Sequence, residues 1–296
     1  MGPSRVLHLM NPLRHDFIAT CLADAPPERD QGRGLKYLDI GCGGGIFAES
    51  MARTIPSSTS TTTTTNTNNT AMTAAASVTA IDPSPTLIQI AESHARTDPK
   101  IDAHLRSGLF QYQNRTLEDL VDAQDAPAPA SASASESKSE SESEPRTAAG
   151  YDVVTLFEVL EHVDPDPGHN APQSFLTNCL RLVRPGGWLI GSTIARTFPS
   201  WIVNQVIAEA PWPVGVVPRG THEWAKFVNP REVRACLEEG LMRGRDGAAR
   251  RAAAEEALSG MRWVCEGVVY FPGLGWKIVK GSEDWGNYFW AVRKGV

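Results

Sequence analysis

The chain has 296 residues, a formal net charge of -6 and a sequence pI near 5.7, enough length for one large or two small domains. No basic stripe runs along it, which argues against a nucleic-acid partner. Its five cysteines are scattered without a Cys-x-x-Cys pair, against a disulfide framework or a zinc site, and no apolar run reaches the ~18 residues of a membrane span.

Met1 to Met10 carries only Arg5, and no transit or signal peptide is read there. Leu35–Ile40 is predicted as a strand. It runs into Gly41-Cys42-Gly43-Gly44-Gly45, four glycines in five positions, and then a helix over Gly45–Arg53. Residues 57–70 are all Ser, Thr or Asn and define a disordered insertion at about 56–77. Val78–Ile81 is a second strand ending at Asp82, with a helix from Pro85 to Arg96 and a third strand expected near Ile101–Leu105. A second disordered insertion, Ala/Pro/Ser then Ser/Glu/Lys, covers 123–149. Tyr151–Phe157 reads as a buried strand and Ala171–Leu182 as a helix. Pro185-Gly186-Gly187 reads as a tight turn into the strand Trp188–Thr193. A third insertion or exposed helix is expected at about 242–259. Trp263–Phe271 and Tyr288–Arg293 are terminal strands around a Gly- and Trp-rich loop. The whole reads as a single α/β domain over 1–296, a mostly parallel sheet with helices on both faces. Such sheets bind ligands outside the carboxyl ends of their strands.

The glycine loop carries the first functional signal. A dinucleotide fingerprint wants G-x-G-x-x-G, but here the pattern is D-x-G-x-G-x-G, with Ile46 in place of the last glycine. That spacing suits S-adenosylmethionine (SAM), with Gly41 and Gly43 presenting bare backbone to it. A ligand-free turn is the plainer alternative. Asp39 either holds the loop N–H groups or sits near the methionine part of SAM. Cys42 is a small filler. Asp82 ends the second strand, where a carboxylate can accept both ribose hydroxyls; without the insertion it lies at the expected offset of about 20 residues. Its alternative role is a helix cap. Glu158, Glu161 and His162 stand at i, i+3 and i+4, which on one helical turn would bring two carboxylates and an imidazole together. Those donors suit Mg²⁺ or a similar divalent cation. Alternatively His162 is a base, or merely packs. A cation gripping both oxygens of a catechol would lower a phenol pKa and align it for methyl transfer. Phe198 to Pro218 is rich in aromatic, aliphatic and proline residues. It suits a lid over a lipid substrate, or a buried helix and loop; Arg196, Arg219 and Lys226 could meet anionic headgroups.

Four segments give the chain a family resemblance: Asn11-Pro12-Leu13-Arg14, the glycine loop continuing to Arg53, Tyr151-Asp152-Val153-Val154 leading to Glu158-x-x-Glu161-His162-Val163, and Pro218-Arg219-Gly220-Thr221-His222 followed by Lys226-Phe227. With these it resembles the ubiquinone-biosynthesis O-methyltransferases, class I SAM-dependent enzymes of Rossmann-like fold. The resemblance implies SAM contacts by Arg14, Gly41, Asp82 and the Phe157 backbone, with Arg14 on the methionine carboxylate. It also implies Mg²⁺-type binding by Glu158, Glu161 and His162, with Glu161 and His162 at the chemistry. The implied substrates are polyprenylated dihydroxybenzoate and demethylubiquinol. The implied location is the matrix face of the mitochondrial inner membrane, peripherally bound within a complex of ubiquinone-biosynthesis proteins. Two other readings stay open: methylation of another small phenol with His162 as base, and a non-catalytic SAM-binding scaffold. His222 either approaches the substrate or packs.

Overall fold

The computed structural model describes residues 8–27, 34–56, 72–125, 150–163, 171–201, 223–242, 260–271 and 273–295. The low-complexity tracts 57–70 and 126–149, most of the Phe198–Pro218 stretch, the Gly-Thr-His motif and 243–259 lie outside them.

Strands β1 (Leu35–Ile40), β2 (Ala75–Asp82), β3 (Phe110–Asn114), β4 (Tyr151–Phe157) and β5 (Val183–Ile194) pair in parallel. Their near-continuous apolar runs follow from burial on both faces. Three C-terminal strands, β6 (Arg262–Phe271), β7 (Gly275–Val279) and β8 (Asn287–Arg293), complete an eight-stranded sheet of order β3-β2-β1-β4-β5-β8-β6-β7. β8 is antiparallel to both its neighbours, β5 and β6.

Alternation along each strand sends side chains to two cores. Tyr37, Val153 and Phe289 join one face; Leu38, Val154 and Trp290 join the other. The first face is covered by α1 (Asn11–Asp24), α2 (Ile46–Ala52), α3 (Pro85–Ala95) and α4 (Pro99–Arg106). The second is covered by α5 (Leu117–Asp125), α6 (Ala171–Leu182) and, after the short α7 (Phe198–Trp201), by α8 (Pro230–Met242).

Several boundaries differ from expectation. The third strand is not at Ile101–Leu105, which lies in α4. Asp98 caps that helix, accepting from Lys100 N at 3.0 Å, and Pro99 enters its first turn. Ile101 and Leu105, four residues apart, face the core as a helix would place them. β2 begins at Ala75, inside the span assigned to the first insertion. Pro185-Gly186-Gly187 is not a turn ahead of a strand. It is a bulge within β5, where pairing jumps from Tyr151↔Val183 to Val153↔Trp188. The Gly- and Trp-rich loop contains β7.

Candidate active site

The glycine loop leaves β1 at the carboxyl edge of the sheet and is tied to the neighbouring β2. Cys42 N donates to the Ile81 carbonyl at 3.0 Å, and Gly43 N donates to Asp82 Oδ2 at 2.9 Å. Asp82 Oδ1 accepts from Ser84 N at 2.8 Å, and Ser84 caps α3. Asp82 thus holds the loop and the start of α3 together, and Ser84, not Asp82, is the cap. Gly45, with φ of 80°, turns the chain into α2; a methyl group there would overlap the Tyr112 hydroxyl beneath it. At Gly43 and Gly44 nothing lies within 4 Å of where a Cβ would stand, so bare backbone faces open space. Burial pushes the Cys42 thiol well above its ordinary pKa, which fits a filler and not a nucleophile.

Asp39 does not hold the loop N–H groups; that part falls to Asp82. It is buried and accepts from Thr155 Oγ1 of β4 at 2.7 Å. Burial raises its pKa to about 7, against the lowering effect of the Thr155 bond and Arg14. Arg14 reaches this place from α1 and is 4% exposed. Its guanidinium stands 4.8 Å over the Phe157 ring, within the fields of Glu158, Asp39 and Glu161. Its Nε is buried without a hydrogen-bond partner among the described residues. Phe157 also packs edge-on to Phe47 at 4.6 Å.

Past β4 the chain does not form the helical turn expected from the Glu158/Glu161/His162 spacing. Glu158 sits in the left-handed region with φ of 59°, and only Leu160–His162 make a short 3₁₀ turn. Strain of about 1–3 kcal/mol at such a non-glycine residue is typical of functional positions. Ser192 and Thr193 of β5 set the two carboxyls. Ser192 Oγ donates to Glu158 Oε1 at 2.7 Å and accepts from Glu158 N at 3.0 Å; Thr193 Oγ1 donates to Glu161 Oε2 at 2.9 Å. Burial, then the charge of Glu158, drives the Glu161 pKa well up. Two carboxyl groups set this way are oxygen donors of the kind a hard cation takes. His162 is exposed and not gathered with them. Among the described residues no three His, Cys, Asp or Glu side chains are arranged to hold a metal ion.

The structure therefore brings Arg14, Asp39, Gly41, Gly43, Asp82, Phe157, Glu158 and Glu161 to one edge of the sheet. Thr155, Ser192 and Thr193 were not singled out from sequence. Their signal was a hydroxyl inside an apolar strand, as in Val153-Val154-Thr155-Leu156. Of the basic residues expected at a headgroup surface, Arg196 is engaged inward. It pairs with Glu232 and donates to the Phe227 carbonyl at 3.2 Å; Lys226 lies 3.3 Å from Glu223. A cavity of about 470 Å³ opens beyond the 3₁₀ turn, between Val163, Phe227, Val228 and α8. Phe198 and Trp201 are exposed and stacked at 6.0 Å.

Residues 10–240 match the family described as a methyltransferase domain. The mitochondrial ubiquinone biosynthesis O-methyltransferase of Schizosaccharomyces pombe is 34% identical over 238 residues, 80% of this chain and 64% of that protein. The enzyme of the same name from Candida albicans is 29% identical, covering 99% of this chain and 79% of the relative. That of Erwinia tasmaniensis is 34% identical, covering 82% and 73%. Among solved structures, the plantazolicin methyltransferase BamL in complex with a triazolic desmethylPZN analog and SAH superposes with a TM-score of 0.54 at 9% identity, over 99% of this chain and 88% of that one; it bears on the fold alone. With its parallel sheet, reversed last strand and glycine loop at the carboxyl edge, the chain is a class I SAM-dependent methyltransferase and belongs to the ubiquinone biosynthesis O-methyltransferase family.

Proposed function

We propose that the chain methylates a catechol oxygen of polyprenylated ubiquinone precursors, a polyprenyl dihydroxybenzoate and demethylubiquinol, using SAM. The observation that carries this is the Glu158 and Glu161 carboxyls, set by Ser192 and Thr193 past a left-handed backbone at Glu158, in the field of the Arg14 guanidinium at the carboxyl edge of the sheet. In this reading Arg14 takes the methionine carboxylate, a charge-assisted pairing for which its unpartnered Nε is ready. Asp82, already oriented by Gly43 and Ser84, retains acceptor capacity for the ribose hydroxyls. Gly41 and Gly43 supply close backbone approach, Phe157 lines the cofactor, and Asp39 supports it from below. Glu158 and Glu161 would hold Mg²⁺ or a similar cation, with His162 the third expected ligand. A cation bound there supplies Lewis acidity that lowers the phenol pKa. A carboxylate oxygen of Glu158 or Glu161, or His162, accepts the phenol proton. The acceptor enters from the side of the cavity by Val163 and Phe227.

Among the described residues no helix is long and apolar enough to cross a membrane. We place the protein peripherally at the matrix face of the mitochondrial inner membrane, with other ubiquinone-biosynthesis proteins. The lipid nature of the substrate and the mitochondrial designation of its fungal relatives support this. The test is methyl transfer from labelled SAM to a short-chain prenyl dihydroxybenzoate, with Mg²⁺ and with chelator. Turnover should vanish with chelator and return with Mg²⁺, and Glu161→Ala should lose it while still binding SAM. Turnover indifferent to chelator, which the exposed position of His162 would then explain, makes His162 the base and removes the metal.

A further inference from the structure

We propose that Asn11 is a positioning residue for the cofactor's carboxylate, fixing the Arg14 guanidinium against the helix that leaves the glycine loop. The inference rests on the SAM reading above. Asn11 is the first residue of α1 and only 7% exposed. Its Nδ2 donates to the carbonyl of Ile46, the first residue of α2, at 3.0 Å. Its Oδ1 accepts from Nη1 of Arg14, one turn later, at 3.2 Å. The site therefore needs a donor on one side and an acceptor on the other, which a carboxamide provides and a carboxylate does not.

A guanidinium is a planar, rigid fork, so fixing one nitrogen and one face fixes the rest. Asn11 holds Nη1, the Phe157 ring holds the face, and the buried Nε is the edge left for a ligand. The neutrality of Asn11 matters as much as its geometry. Burial lowers the guanidinium's pKa and the charges of Glu158, Asp39 and Glu161 oppose that, yet its described hydrogen-bond partner is the uncharged amide. Its charge is thus left for an incoming carboxylate. The bond to Ile46 ties that charge to the loop that receives the rest of the ligand, so α1 and the loop offer one preorganised surface.

The test is calorimetric titration with two probes. S-adenosylhomocysteine carries the amino-acid carboxylate; 5′-methylthioadenosine has the same nucleoside and thioether without it. Asn11→Ala and Asn11→Asp should each weaken S-adenosylhomocysteine roughly tenfold, the size of one charged hydrogen bond, and leave 5′-methylthioadenosine affinity unchanged. Equal losses for both probes would make Asn11 merely structural and overturn the proposal, as would no loss for either. Arg14→Gln separates the two layers. If it costs S-adenosylhomocysteine affinity while the Asn11 variants do not, positioning fails and the carboxylate reading stands. If Arg14→Gln costs nothing, the carboxylate reading itself fails. Should Asn11→Ala not fold, Asn11→Gln keeps donor and acceptor one methylene displaced, and the same selective loss is expected; an equal loss for both probes would again overturn the proposal.

Discussion

Asp39 shows how one buried carboxyl can set the pH behaviour of the ligand-free protein. Its pKa rises from an ordinary 3.8 to about 7 because burial outweighs the bond from Thr155. Between those values the folded state binds more protons than the unfolded one. Stability therefore falls as pH rises from about 4 to about 7 and is level above that. Buried Glu161, shifted the same way, adds to the slope. Asp39→Asn keeps the acceptor for Thr155 and removes the titration. Its melting temperature should decline less than that of the wild type between pH 5 and pH 8, and parallel curves would show that Asp39 is not the source. From sequence, Asp39 and Asp82 were both visible as strand-terminal acids, but which one held the loop was not. That choice depends on the pairing of β1 with β2, which aims Asp82 rather than Asp39 at Gly43. The Glu158/Glu161/His162 spacing is equally legible, but it suggests a helical turn that the chain does not make. The left-handed backbone at Glu158 carries no compositional mark, since glycine is what such a position usually announces.

At the scale of elements, the loop between β1 and α2 is a joint with little tolerance. Gly45 combines a left-handed backbone with a hydroxyl pressed beneath it, so Gly45→Ala should cost about 2–4 kcal/mol by strain and overlap together. Tyr112→Phe removes the obstructing oxygen, whose buried hydroxyl has no hydrogen-bond partner among the described residues. It should recover part of the loss in a Gly45→Ala background, and denaturant unfolding of the single and double variants measures the coupling. If the two changes simply add, the hydroxyl is not what enforces the glycine. Elements with period and punctuation in agreement were predicted well: β4 and α6 have the bounds their residues suggested. The misplaced third strand is the opposite case. Ile101 and Leu105 suggest a strand by their apolarity alone, although Asp98-Pro99 ahead of them is a helix start; the strand lies beyond Gly108, where Phe110 and Tyr112 alternate with glutamines.

At the scale of the whole molecule, the low-complexity tracts fall between elements of the sheet and not within them. The residues flanking segment 57–71 meet, Ala75 N donating to Thr54 Oγ1 at 3.1 Å. Replacing it with a four-residue linker should leave methyl transfer intact. It should also stabilise the protein by about 1 kcal/mol through cheaper loop closure, seen as a small rise in melting temperature. Loss of turnover would mean that the tract serves the site. The reversed strand has a consequence of another kind. β8 comes after the other seven strands in chain order, yet it sits between β5 and β6, where Trp290 and Phe289 fill both cores. A ribosome therefore delivers the keystone after the arch. Until β8 emerges, the long apolar β5 stands with an open edge, a template for pairing with neighbouring chains. Translation arrested just short of Asn287 should yield a chain that chaperones retain and proteases cut, although every residue of the cofactor site has already been made.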